Sequence, residues 1–96
     1  MRPRTQFKFR LYVAGDAPNS AQAVYNLSVL CRKYLPSRHK IEFVDVLREP
    51  ARALADMILM TPTLVKLSPA PVKRIIGNLS QAQPLLQSLG LATEAA

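Results

Sequence analysis

Eight prolines in 96 residues cut this chain into short pieces, and that punctuation limits its fold more than any other feature. An interior proline removes a helical hydrogen bond and costs roughly 3 kcal/mol, so a regular helix does not run through one. Proline is equally unwelcome inside a central strand. Pro18, Pro36, Pro50, Pro62, Pro69, Pro71 and Pro84 therefore mark where elements start, stop or turn.

The pieces between the prolines have distinct periodicities. Phe7, Phe9, Leu11 and Val13 alternate with Lys8, Arg10 and Tyr12, which is a strand with one clearly apolar face. The turn residues Gly15, Asp16, Pro18 and Asn19 follow. Asn19 is a candidate helix cap with Gln22 as its capping-box partner. Ala23, Val24, Leu27, Leu30, Cys31 and Tyr34 then give helical spacing over residues 20–35, stopped by Pro36. Residues 41–46 are β-branched and aromatic with apolar side chains on both faces, as in an inner strand. Pro50 suits the first position of a second helix, with Ala53, Leu54, Met57 and Ile58 as its inner face. Residues 63–67 read as a strand, Ser68-Pro69-Ala70-Pro71 as a hairpin connection, and residues 72–76 as its partner strand. Ser80 caps a last helix over residues 80–89, with Gly90 beyond its end. Pro84 falls near the end of its first turn.

The order β-α-β-α-β-β-α defines one domain spanning residues 1–96, with a basic arm at 1–6 and a short tail at 91–96. A strand–helix–strand crossover is right-handed and parallel, and the last two strands form an antiparallel hairpin. That is a thioredoxin-like α/β layout with a mixed four-stranded sheet. Forty-nine per cent of the residues are hydrophobic, enough to build a core and too many for a disordered chain. The longest apolar run, residues 57–60, is far short of a membrane span. Lys8 and Arg10 break what would be the apolar stretch of a secretion signal, so the expectation is a cytoplasmic protein.

Charge narrows the partner. Thirteen basic and six acidic side chains give a net charge of +7. Residues 1–40 carry most of the excess, with Asp16 their sole acid. A positive field of this size favours an acidic partner. The first strand superficially resembles an RNA-binding sheet, but Tyr12 opposes Phe7 and Phe9, so no stacking platform forms and nucleic acid is disfavoured.

Catalytic chemistry is sparse. In a thioredoxin-like fold a redox cysteine sits at the start of the first helix, where the helix dipole lowers its pKa. Here that stretch is Asp16-Ala17-Pro18-Asn19-Ser20, without cysteine. Cys31, on the apolar stripe, reads as a small buried hydrophobe. Glu42, Asp45, Glu49 and Asp56 are read as solvated carboxylates without a shared face, and His39 as a solvated loop residue. Three scattered glycines make no phosphate loop. The expectation is no catalytic residue, no metal and no cofactor. Thr61-Pro62-Thr63 places a proline where thioredoxin-like proteins hold a cis-proline before the third strand.

Three stretches carry a resemblance to a known family. They are Leu11-Tyr12-Val13-Ala14-Gly15-Asp16-Ala17-Pro18-Asn19-Ser20, then Val44-Asp45-Val46-Leu47, then residues 61–80 with Thr61-Pro62-Thr63-Leu64 and Pro69-Ala70-Pro71-Val72-Lys73-Arg74-Ile75-Ile76-Gly77. The sequence resembles the KaiB family of clock proteins over residues 7–90. The resemblance implies a non-enzymatic adaptor that binds the ATPase KaiC, competes with a sensor kinase, sequesters KaiA and shifts KaiC toward dephosphorylation. A thioredoxin-like interaction or sensor module serving a kinase or stress pathway without KaiC is the alternative. It also implies two folds: a tetrameric ground state with a rearranged C-terminal half, and a thioredoxin-like monomer with cis-prolines. The matching prolines are Pro62, Pro69 and Pro71. Lys66, Lys73 and Arg74 match basic positions tied to the partner-binding form. Ser88 and Gly90 replace the family's usual pair at positions that weigh one fold against the other, and Met57 replaces a family lysine. Local preference favours the thioredoxin-like monomer over the homotetramer. Pro62, Pro69 and Pro71 oppose helix across their region, residues 80–89 read as helix, and glycine at 90 weakens a strand.

Overall fold

The protein is described from a computed structural model over residues 5–91. Most of the expected basic arm and tail lies outside these residues. β1 (Phe7–Val13) is followed by α1 (Pro18–Tyr34), β2 (His39–Asp45), α2 (Pro50–Ala55), β3 (Thr63–Ser68), β4 (Lys73–Ile76) and α3 (Ala82–Ser88). The strands form one sheet in the order β2-β1-β3-β4. β1 and β2 are parallel, whereas β3 is antiparallel to both β1 and β4. The expected element order and mixed sheet are thus present.

Alternation along β1 divides the core. Phe7, Phe9, Leu11 and Val13 pack with Ala23, Leu27, Leu30 and Cys31 of α1 and with Leu85 and Leu86 of α3. Full burial of one such leucine or phenylalanine contributes about 1.5–3 kcal/mol. Tyr12 points the other way and meets Val44 and Val65 in a second, smaller cluster. β1 is therefore buried on both faces toward its C-terminal end, a consequence of lying second in the sheet.

Local starts and stops differ from the sequence-based expectation in three places. α1 begins at Pro18, with Ala17 at the cap position and no side-chain cap. Asn19 lies inside the helix, and Gln22 donates to Asn26 Oδ1 rather than closing a capping box. Pro18 supplies a pre-set φ and has no N–H to orphan, so the helix starts two residues earlier. Ser20 is buried, and its Oγ accepts from the Ala14 N–H, fixing the preceding loop.

α2 is shorter than its apolar pattern suggests. It ends at Ala55, and Met57 adopts a left-handed φ of 55°. Of the expected inner face only Ala53 is buried, with Ile58 half-buried; Leu54 and Met57 are 78% and 73% exposed. α3 begins at Ala82, not at Ser80, with Gln81 at the cap position and no side-chain cap; Ser80 lies ahead of it, its N–H donating to Asn78 Oδ1 in an Asx turn. Pro84 is the third residue of α3, where its missing N–H costs no helical bond.

Candidate partner-binding surface

The place where a thioredoxin-like fold holds its thiols is the start of α1, and it carries Pro18, Asn19 and Ser20. Cys31 sits three turns further on with no exposed surface, and burial pushes its thiol up to about 12. A thiol held protonated is neither nucleophile nor redox partner at neutral pH.

The basic residues singled out by sequence do not form one face. β4 is an edge strand, and Lys73 and Arg74 are both exposed on its opposite sides. Arg74 projects to the α2 side, where its Nη1 donates to the Met57 carbonyl at 3.4 Å. Lys66, which the resemblance matches to a basic partner-binding position, is not on the surface. It is 3% exposed on the helix side of β3, with its Nζ 5.9 Å from the centre of the Phe7 ring. Its stem fills the core edge while the ammonium rests on an aromatic face. Register explains this: Lys66 pairs with Phe9, whose side chain points into the main core.

The three candidate prolines lie around this edge. Thr61–Pro62, Ser68–Pro69 and Ala70–Pro71 are all cis. Pro62 immediately precedes β3, and its carbonyl accepts from the Gly77 N–H at 3.0 Å, tying the two ends of the hairpin together. Ser88 is the last residue of α3. Gly90 adopts φ +75°, its N–H donates to Gln87 O, and the Leu91 N–H donates to Leu86 O. These two bonds are a Schellman C-cap, so glycine at 90 terminates the helical form of this segment.

Beside Arg74 lies an exposed apolar surface, of which sequence reading placed Leu54 and Met57 inside. Leu54, Met57, Leu59, Met60 and Ile76 are exposed, Leu59 at 90%. Met57, Ile58, Leu59, Thr63, Arg74 and Ile76 line a shallow cleft of about 100 Å³. Exposed apolar side chains next to a cation have the composition that protein–protein contacts use.

Sequence reading also missed the polar network that holds this corner. Glu42 accepts from Arg10 Nε at 2.8 Å and pairs with Arg52 Nη1 at 2.8 Å. Arg10 Nη1 reaches Asp56 at 3.2 Å, and the Tyr12 hydroxyl donates to the same carboxylate. Arg52 also reaches Glu49 at 3.5 Å. Glu42, Glu49 and Asp56, expected to be separate solvated groups, are thus linked through two arginines. His39, also expected to be solvated, is half-buried with its Nδ1 2.8 Å from the Leu35 carbonyl. The arginines Arg52 and Arg10 hold the Glu42 carboxyl down at about 2. The Tyr12 hydroxyl and Arg10 lower the Asp56 carboxyl, while burial and Asp56 raise the Tyr12 hydroxyl. The legible signal was modest: Arg10 and Tyr12 share one face of β1, while the register that sets Arg10 opposite Glu42 is visible only in the sheet.

Sheet order, helices on both faces, a cis-proline before β3 and no thiol at the start of α1 together define a thioredoxin-like domain without its redox pair. Solved structures agree on the fold. The N-terminal domain of Synechococcus elongatus SasA superposes with a TM-score of 0.73 at 20% identity, covering 100% of this chain and 93% of that one. Chloroplastic thioredoxin z gives 0.75 at 20% identity, over 92% and 80%. The KaiB domain family model matches residues 10–91, and the chain belongs to the KaiB family. A circadian clock oscillator protein KaiB of Prochlorococcus marinus is 43% identical over 95% of this chain and 76% of its own length. Its Synechococcus elongatus counterpart is 42% identical over 95% and 89%. Circadian clock protein KaiB3 of Synechocystis sp. is 39% identical over 88% and 83%.

Proposed function

We propose that this protein is a non-enzymatic, cytoplasmic clock-type adaptor. It docks on a KaiC-like ATPase and modulates that enzyme's phosphorylation state. A KaiA-like protein or a sensor kinase is the further partner. Membership of the KaiB family supports the class of function. The observation that carries the docking site is the exposed corner of Met57, Leu59 and Ile76 beside Arg74. Its area is apolar at the centre with a cation at the rim, the composition of a protein–protein contact. Lys73 lies on the other side of the same edge strand and assists from the hairpin. Lys66 acts from beneath, by supporting Phe7 and the hairpin, rather than by touching the partner.

The decisive experiment is co-purification with a KaiC-like ATPase in its ADP and ATP forms. A complex is expected, weakened at least tenfold by Arg74→Glu or Leu59→Glu with the circular dichroism unchanged. Absence of a complex in both nucleotide forms overturns the reading in favour of a thioredoxin-like module of another pathway. Undiminished binding by both variants overturns the site.

A further inference from the structure

Charge is segregated along the sheet. The N-terminal ends of β1 and β2 and the β3–β4 turn lie together at one end, because β1 and β2 are parallel while β3 runs antiparallel to β1. The C-terminus of α1 reaches the same end, where the Phe7 N–H donates to the Arg38 carbonyl at 2.8 Å. Topology thus gathers Lys8, Arg32, Lys33, Arg38 and Lys40 around that end. All but Arg38, which is half-buried, are exposed.

No described carboxylate answers them. Asp16 and Asp45 lie in or beside the turns at the opposite end of the sheet, and Glu49 and Asp56 flank α2. Glu42 is nearest, two residues along β2 from Lys40, but Arg10 and Arg52 occupy it. Lys8 and Lys40 are moreover direct neighbours across β1 and β2. Like charges placed opposite each other destabilise a sheet, so folding alone does not favour the pairing. Among the described residues, neither lysine ion-pairs with a carboxylate. Arg32 and Lys33 occupy the last turn of α1, where the helix dipole favours cations.

We propose that this end of the sheet is a second interaction surface, separate from the α2 corner, and that it takes an acidic segment of a protein partner. Charge complementarity selects an anionic occupant. A peptide fits better than single-stranded nucleic acid because the surface offers no base-stacking platform, and a duplex is distinguished by experiment. Phe7 is buried under Arg38 and Lys66, and Lys33 lies over the Tyr34 ring at 5.2 Å. Stacked aromatics are what single-strand binders present.

Fluorescence anisotropy with a labelled decaglutamate peptide tests this, with a duplex DNA of equal charge as the second probe. Decaglutamate binding is expected to weaken about tenfold between low and moderate salt, as screening shortens the reach of the charges. It is expected to fall at least tenfold in the variant carrying Lys8→Gln, Arg32→Gln, Lys33→Gln and Lys40→Gln. The same variant retains ATPase co-purification, which reads the α2 corner separately. Should that variant fail to fold, Arg32→Gln with Lys33→Gln alone, both exposed on α1, is expected to weaken binding three- to fivefold. Peptide binding untouched by whichever variant folds overturns the site. Tighter binding of the duplex than of decaglutamate overturns the assignment to a protein partner.

Discussion

Gly90 and Cys31 show how single side chains constrain this molecule. At φ +75°, Gly90 holds a backbone conformation that costs an L-residue about 1–2 kcal/mol. Space is not the obstacle, since a Cβ there would meet nothing within 4 Å. Gly90→Ala is therefore expected to lower unfolding free energy by about 1 kcal/mol, read by urea denaturation, while Gly90→Asn recovers part of the loss. An alanine variant as stable as the parent would mean that the Schellman cap does not hold α3. Cys31 is closed to solvent and its thiol is pushed up to about 12 by burial. It is expected to resist a thiol-specific reagent at pH 8 until denaturant is added. Insulin-reduction activity above background, lost in Cys31→Ser, would contradict this.

α2 is the element least secured by burial. Only Ala53 of its residues is buried, so its attachment rests on Arg10, Glu42, Arg52 and Asp56 with Tyr12 beneath. Each exposed pair is worth no more than about 1 kcal/mol, and salt screens it. Glu42 and Asp56 have folded-state pKa values below their ordinary ones, so their stabilisation is present above the ordinary carboxylate range. It is lost as pH falls from that range through about 2 for Glu42. Amide protection factors around residues 50–60, corrected for the intrinsic exchange rate, are expected to fall at acid pH and in high salt, as local opening accelerates before the main core opens. Tyr12→Phe and Asp56→Asn are expected to produce the same local acceleration at neutral pH. Uniform protection across α1 and α2 in all three conditions would refute the dependence.

At the scale of the molecule, α3 decides what surface remains for association. Leu85, Leu86 and Leu89 are at most 4% exposed, packed onto the same side of the sheet as α1. The apolar C-terminal segment is thereby used internally rather than offered to further copies. Size-exclusion chromatography with light scattering is expected to give the mass of one chain. A tetramer with strand-type chemical shifts over residues 85–91 would show instead that the rearranged fold is the populated one.

Local chemistry by itself determined the element order. Strict alternation marked β1, helical spacing marked α1, Pro36 ended α1, Pro50 opened α2, and glycine at 90 closed α3, because each signal acts within a few residues of itself. The starts of α1 and α3 were misplaced: Pro18 opened α1 ahead of Asn19, and Ser80 was held in an Asx turn by Asn78 before α3 begins. Lys73 and Arg74 were legible as exposed on opposite sides because side chains alternate along any strand. Only the tertiary structure decided that Lys66 is buried over Phe7, that Tyr12 builds a second core, and that three carboxylates join one network. It also left the α2 corner uncovered. Those outcomes depend on strand register and sheet order, which bring together residues more than thirty positions apart and which no local pattern encodes.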